Sequence, residues 1–303
     1  MTNTIRHRGP DAEGHYYHAD KGIGLGHRRL SIIDLSDAAN QPMYSSCGRF
    51  IIVYNGEVYN FKEIAEKLDH IKWKTRSDTE VILEAFAKWG VDFVHELNGM
   101  FAMAIYDLVE EKLFLIRDRM GIKPLYYYHD GSDFAFASEI KAINQLALKK
   151  EIDEGSIYAY LHLGYIPSNK TIYQNLFKVK SGAYLIVEKN QVEEIGYWNP
   201  EAQIQRETIK DLETSKSQLR SLLQESVKKR LVSDVPIGTF LSGGTDSSMV
   251  TAIAQEVNDS PINTFSIGLK EVKYKEREHD RKRARDRGTN HQDSMQAKIE
   301  EYG

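Results

Sequence analysis

The sequence predicts two domains of different class: an α+β sandwich of two antiparallel sheets with helices outside, then part of an α/β domain on a parallel sheet. Three observations predict it. Short apolar segments of strand length crowd the first half, set between turn residues. A polar stretch over residues 199–211 follows, with few apolar anchors. Beyond it the order runs strand, glycine-rich loop, helix, strand, which is the plan of a βαβ unit. A chain of 303 residues is long enough for two cores, since domains usually run to about 100–200 residues. The expected domains are therefore 1–198 and 212–303, joined by a linker at 199–211.

In the first domain, strands are expected over 22–33, 50–54, 100–107, 112–117, 125–128 and 133–137, each carrying an alternating or continuous apolar pattern. Val109-Glu110-Glu111 and Asp130-Gly131-Ser132 read as hairpin turns. Ser77-Asp78-Thr79-Glu80 has the spacing of a capping box, and Val81, Ile82, Ala85, Phe86 and Trp89 follow at helical intervals until Gly90 stops the helix. Segments 182–188 and 194–198 close the domain as strands.

In the second domain, Leu219, Leu222, Leu223, Val227 and Leu231 form one helical stripe, with Lys228, Lys229 and Arg230 on a solvated face. A buried strand over 235–241, a helix over 247–257 and a strand over 262–269 complete the unit. The tail from Gln292 to Gly303 is polar and weakly patterned.

Composition narrows the function. Apolar residues make up 41%, charged residues 28% and aromatic residues 10%, as in soluble globular proteins and unlike disordered ones. A formal charge of -4 gives no general attraction for nucleic acid or anionic lipid. No apolar run approaches the roughly 18 residues of a membrane span, and the N-terminus lacks a signal-peptide core, so a cytoplasmic setting is expected. The single cysteine, Cys47, excludes an internal disulfide framework and a multi-cysteine metal site.

The sharpest motif is Leu241-Ser242-Gly243-Gly244-Thr245-Asp246-Ser247-Ser248, between a strand and a helix. Two glycines let backbone N–H groups curl round an anion, the serines add hydroxyl donors, and the helix N-terminus adds its positive dipole. Phosphate is the expected guest. Asp246 would repel a bare phosphate, so it implies either a bridging Mg²⁺, the favoured reading, or a helix cap. A glycine turn with serine caps is the plain alternative. The string lacks the lysine of a Walker loop, and it resembles the pyrophosphate loop of the ATP pyrophosphatases.

The first half, in turn, resembles the class II glutamine amidotransferase domain of asparagine synthetases. Arg6-His7-Arg8-Gly9-Pro10-Asp11, Gly26-His27-Arg28-Arg29-Leu30-Ser31-Ile32, Asn40-Gln41-Pro42-Met43, Tyr54-Asn55-Gly56-Glu57-Val58-Tyr59-Asn60, Arg76-Ser77-Asp78-Thr79-Glu80, Leu97-Asn98-Gly99-Met100-Phe101-Ala102, the run from Arg117 to Tyr126 and Phe136-Ala137-Ser138-Glu139-Ile140-Lys141 follow the family's order. Ser233-Asp234-Val235-Pro236-Ile237-Gly238, Thr264-Phe265-Ser266-Ile267-Gly268 and Gly288-Thr289-Asn290-His291 extend the resemblance past the loop.

The resemblance implies an Ntn-type sandwich followed by an ATP-pyrophosphatase domain. Arg29 would bind the α-carboxylate of glutamine, a task suited to a bidentate guanidinium. Asn55 and Gly56 would form an oxyanion hole, although Asn-Gly by itself is more often a hairpin turn. Asn55, Glu57 and Asp78 would join Arg29 around glutamine, with Glu57 and Asp78 on its ammonium, while Asp78 also suits a helix first turn. Leu241, Ser242, Gly243, Gly244, Asp246, Ser247 and Ile267 would bind ATP, with Leu241 and Ile267 beside the adenine as well as in the strand core, and Asp246 on the metal.

Enzymes of this class use a cysteine at the mature N-terminus whose own α-amino group is the base. This sequence opens Met1-Thr2, and Cys47, in a turn-like stretch, matches no catalytic position. The expectation is a chain short of the family pattern at both ends and inactive toward glutamine. The complete family turns ATP, aspartate and glutamine into asparagine, glutamate, AMP and pyrophosphate, often as a homodimer. The alternatives are a non-catalytic relic that binds glutamine or nucleotide, and an amidotransferase acting on another carboxylate acceptor.

Overall fold

A computed structural model of the chain describes residues 1–204, 209–242, 244–268 and 290–295, with backbone alone for 267, 268 and 290–295. The chain divides into two compact units, Met1–Ile204 and Gln205–Gly303.

Unit 1 contains the strands β1 (Ala12–His18), β2 (Ile23–Arg29), β3 (Met43–Tyr44) and β4 (Phe50–Val58), then the helices α1 (Phe61–Glu66) and α2 (Asp78–Trp89). Strands β5 (Gly99–Asp107), β6 (Lys112–Arg117), β7 (Tyr126–His129) and β8 (Phe134–Ala137) follow, then the helices α3 (Ile140–Ile143) and α4 (Glu154–Leu163). The unit ends with β9 (Leu176–Lys178), β10 (Ala183–Glu188) and β11 (Gln191–Gly196).

A six-stranded sheet in the order β11-β10-β6-β5-β4-β3 is its centre, antiparallel at every pairing. Because successive side chains point to opposite faces, β4 divides its apolar residues between two cores. Phe50, Ile52 and Tyr54 pack with Ile64 of α1 and Val81, Ile82 and Phe86 of α2. Ile51 and Val53 pack on the other face with Leu25 of β2 and Tyr127 of β7. Helices thus cover one face, and the sheets β1-β2 and β8-β7-β9 cover the other.

The antiparallel sandwich agrees with the sequence reading, and among the differences of detail four stand near the strands and helix described above. Strand β1 was not anticipated; its residues alternate half-buried with exposed, but His, Gly and Glu carry little apolar signal. Strand β2 stops at Arg29 rather than running to 33, because the Arg29 guanidinium gathers the carbonyls of Ile33, Asp34 and Ser36 and bends the chain round itself. Strand β4 continues through Asn55, Gly56 and Glu57, so Asn-Gly is not a turn. At α2, Ser77 Oγ accepts from Glu80 N at 3.4 Å, but Glu80 accepts from Lys74 N and Thr75 N instead of completing the capping box.

Unit 2 contains α5 (Leu212–Arg230), β12 (Gly238–Phe240), α6 (Thr245–Glu256), β13 (Asn263–Gly268) and β14 (Asn290–Met295). The three strands pair in parallel in the order β12-β13-β14. The predicted βαβ order is therefore present as a small parallel sheet. Strand β12 is shorter than the expected 235–241 because Pro236 has no N–H to give a ladder. Leu223, Val227 and Leu231 of the expected stripe pack with Ile253, Ala254 and Ile262, whereas Leu219 and Leu222 remain 57% and 62% exposed. Residues 290–295, expected to be mostly weakly patterned tail, form the third strand.

Candidate functional site

A cleft of about 1130 Å³ opens in unit 1 against the second face of the six-stranded sheet. Arg29, Tyr54, Asn55, Gly56, Glu57, Asp78 and Lys123 all line it. So does every residue of β2 from Ile23 to Arg29 and of β8 from Phe134 to Ala137; consecutive lining residues mean that the cleft meets these strands along their edges.

Strand β4 delivers the centre of the site. It pairs with β5 from Phe50↔Asp107 to Val58↔Gly99, which puts Asn55 opposite Ala102 and Gly56 opposite Phe101. A Cβ on Gly56 would run into the Met100 carbonyl and lie 2.8 Å from Phe101 Cα, so this close approach needs glycine. The Asn55 amide Nδ2 is buried with no hydrogen-bond partner among the described residues. A buried donor left unpaired costs about 1–3 kcal/mol; a ligand oxygen would satisfy it.

Helix α2 brings Asp78 to the same cleft as its first residue. Asp78 Oδ2 accepts from the Tyr54 hydroxyl at 2.8 Å and from Val58 N at 3.0 Å. Burial pushes the Asp78 carboxyl up despite these bonds. Glu57 is also raised, first by burial and then by the Asp78 charge, with Lys123 pulling the other way. The turn after β6 sets Lys123: Asp118 accepts from Met120 N, Ile122 N and Lys123 N, each at 3.0 Å. Burial lowers the Lys123 pKa while the Glu57 charge opposes it. Two carboxyls raised in one cleft form an environment that a ligand cation would relieve.

Arg29 is buried, and its terminal nitrogens donate to Ser36 O at 2.8 Å, Asn40 Oδ1 at 2.9 Å, Ile33 O at 3.4 Å and Asp34 O. The guanidinium therefore holds the loop over 33–40 in place. Both of its terminal nitrogens are engaged by that loop.

In unit 2, Leu241 is buried, its N–H donating to Phe265 O and its carbonyl accepting from Ser266 Oγ. Ser242 Oγ lies 3.1 Å from Ser247 Oγ, and Ser247 Oγ donates to Gly244 O at 3.3 Å. Gly244 is the N-cap of α6 and gives it no side-chain cap, so the first N–H groups of that helix are available to an anion. Asp246 stands in the first turn. No group of three or more His, Cys, Asp or Glu is placed to hold a metal among the described residues. Gly243 lies outside the described residues, and Ile267 is placed by its backbone alone, in β13.

Residues 1–198 match the profile of the glutamine amidotransferase domain, and residues 218–300 match that of asparagine synthase. The chain belongs to the asparagine synthetase type of glutamine amidotransferases. A Methanocaldococcus jannaschii protein with the provisional name asparagine synthetase (glutamine-hydrolyzing) 2 is 42% identical over 299 residues, 91% of this chain and 57% of its own length. Asparagine synthetase (glutamine-hydrolyzing) 3 of Bacillus subtilis is 36% identical over 284 residues, covering 89% of this chain and 45% of its own. Amidase chry2 of Gibberella zeae is 35% identical over 258 residues, covering 84% and 38%. The chain spans about half the length of these curated relatives.

The structure gathers Arg29, Asn55, Gly56, Glu57 and Asp78 round one cleft, and Leu241, Ser242, Gly244, Asp246 and Ser247 at one loop. Cys47 is exposed, with Ser45 Oγ 3.3 Å from its sulfur, and is not among the residues lining the cleft. Sequence reasoning missed Tyr54, Lys123, His27 and Gln41 as parts of the site. The signal was adjacency: His27 stands two residues before Arg29, and Tyr54 directly before Asn55. No helix among the described residues is long and apolar enough to cross a membrane.

Proposed function

We propose that residues 1–198 form a glutamine-binding domain of the glutaminase type with no nucleophile of its own, linked by 199–211 to residues 212–303, which hold the nucleotide loop of an asparagine-forming type of ligase. The observation that carries this reading is the unpaired Asn55 Nδ2 on the strand that also presents Gly56 and Glu57, with Asp78 lining the same cleft. Glutamine fits the chemistry. Its ammonium meets Glu57 and Asp78, its side-chain carbonyl meets Asn55 Nδ2 and the Gly56 N–H, and its carboxylate meets the Arg29 guanidinium.

The two donors on β4 would hold the amide carbonyl of bound glutamine, and they are placed where an oxyanion hole would need them if a nucleophile attacked that carbon. Burial of the site keeps those dipoles strong by excluding water. In the second domain, the uncapped start of α6 with Ser242 and Ser247 suits the phosphates of ATP. Asp246 would be the residue to hold Mg²⁺, which would supply charge neutralisation for the phosphates. Aspartate is the acceptor that the two asparagine synthetase relatives suggest. The differently named Gibberella zeae relative favours, as a second reading, another carboxylate in that place. A cytoplasmic homodimer completes the proposal.

Calorimetric titration with glutamine tests it. The chain should take up glutamine, bind glutamate more weakly, and lose glutamine when Asn55 is changed to Ala. Equal heats for the Asn55→Ala protein and the unchanged one would sink the reading.

A further inference from the structure

Strand β4 is supported unequally on its two edges. On one edge β5 pairs with it throughout; on the other, β3 reaches only Ile51 and Ile52. Beyond that point two side chains take over the ladder. Gln41 Oε1 accepts from Tyr54 N at 2.6 Å, and His27 Nε2 donates to Tyr54 O at 2.9 Å. A carbonyl can only accept, so the ring carries its proton on Nε2. Gln41 is itself buried, and its Nε2 reaches Thr79 Oγ1 of α2 at 3.3 Å. The backbone groups of an antiparallel strand alternate between its edges, so the Gly56 N–H leaves β4 on the same edge as the Tyr54 carbonyl. The two groups that would face a developing oxyanion, Asn55 Nδ2 and Gly56 N–H, therefore follow directly on a peptide held by His27 and Gln41.

We propose that His27 is a positioning residue for the glutamine site: its Nε2–H, together with Gln41 Oε1, replaces a neighbouring strand at Tyr54 and fixes the edge that presents Asn55 and Gly56. The assignment rests on the glutamine reading above and adds to it a residue two positions from Arg29 that touches no substrate. The donor persists whichever way the ring titrates, and burial, with the Arg29 charge in addition, pushes the His27 pKa down to about 4 against the opposing bond to Tyr54. A neutral ring puts no second positive charge beside Arg29. Glu57, Asp78, Lys123, Arg8 and Arg28 are among the other charged groups lining the same cleft.

The test compares His27→Leu, which removes the donor, with His27→Gln, which keeps an N–H at similar reach. Glutamine titration should show at least a tenfold weaker Kd for His27→Leu and recovery to within about threefold for His27→Gln, with the glutamine affinity and not the Tm following the donor. Both variants binding as the unchanged protein does, or both losing affinity alike, would overturn the assignment. Nitrogen-15 spectra of the ligand-free protein give a second readout that holds even if glutamine fails to bind. The Gly56 amide and Asn55 side-chain resonances should shift or broaden in His27→Leu and return in His27→Gln; unchanged resonances in His27→Leu would equally overturn it. Failure of the unchanged protein to bind glutamine would count against the glutamine reading alone, and the spectra would still decide the role of His27.

Discussion

Glu57 and Asp78 turn two carboxyl groups into one cleft, and the Asp78 charge adds to burial in raising the Glu57 pKa. A carboxyl raised in the folded state binds its proton more tightly there than in the unfolded chain. Its contribution to stability is then full below the ordinary value of 4.5 and is lost as pH rises through the folded pKa. At neutral pH the Glu57 charge is a net cost to stability. Glu57→Gln should therefore raise stability at pH 7 by roughly 0.5–1 kcal/mol. The gain should vanish below about pH 4.5, where Glu57 is already neutral. Urea unfolding at pH 7 and pH 4 measures this, and glutamine affinity should fall about tenfold in the same variant, the cost of one charged partner.

Gly56→Ala should cost about 1–3 kcal/mol, the range for forcing an extra methyl into a packed site. The new Cβ would meet the β5 backbone at Met100 and Phe101, where no flexible side chain can yield. Urea denaturation shows the loss as a lower midpoint. A midpoint unchanged from the parent protein would mean that β4 and β5 can separate at this register.

Cys47→Ser should leave the glutamine titration unchanged, since Cys47 is exposed and is not among the residues lining the cleft. Alkylation of Cys47 by iodoacetamide should proceed equally with and without glutamine. Protection of the thiol by glutamine would place Cys47 nearer the ligand than the structure does.

How much of this was legible in the sequence depends on whether a residue's neighbours in the chain are also its neighbours in space. The Ser77 cap, the Gly90 stop and the strand-loop-helix order round Ser242 are local, and their spacing announced them. Strand β1 was not legible because His15 and Glu13 hide its alternation. The end of β2 was set by Arg29 drawing in the carbonyls over 33–36, which no period encodes. At the site, Asn55, Gly56 and Glu57 appeared as one run, but the bonds that fix them come from His27 and Gln41 across 27 and 13 positions. Lys123 is set by a local turn on Asp118, but what makes it part of the site is the Glu57 charge, which comes from a distant strand.

Ser247→Ala should weaken ATP binding about tenfold, equivalent to roughly 1.4 kcal/mol, the size expected for one hydrogen bond to a charged group. The argument lies in the loop. Ser247 Oγ stands 3.1 Å from Ser242 Oγ and donates to Gly244 O, so it both shapes the curl and offers a hydroxyl at the uncapped start of α6. If its role is to meet phosphate, Ser247→Thr should retain most of the affinity, because the hydroxyl remains. Pyrophosphate should lose affinity in step with ATP, while adenosine should bind the two proteins alike. Asp246→Asn should separately reduce the dependence of ATP binding on Mg²⁺. Equal losses for ATP and adenosine in Ser247→Ala would show that the hydroxyl supports the loop as a whole, and the assignment of this curl to the phosphates would fall.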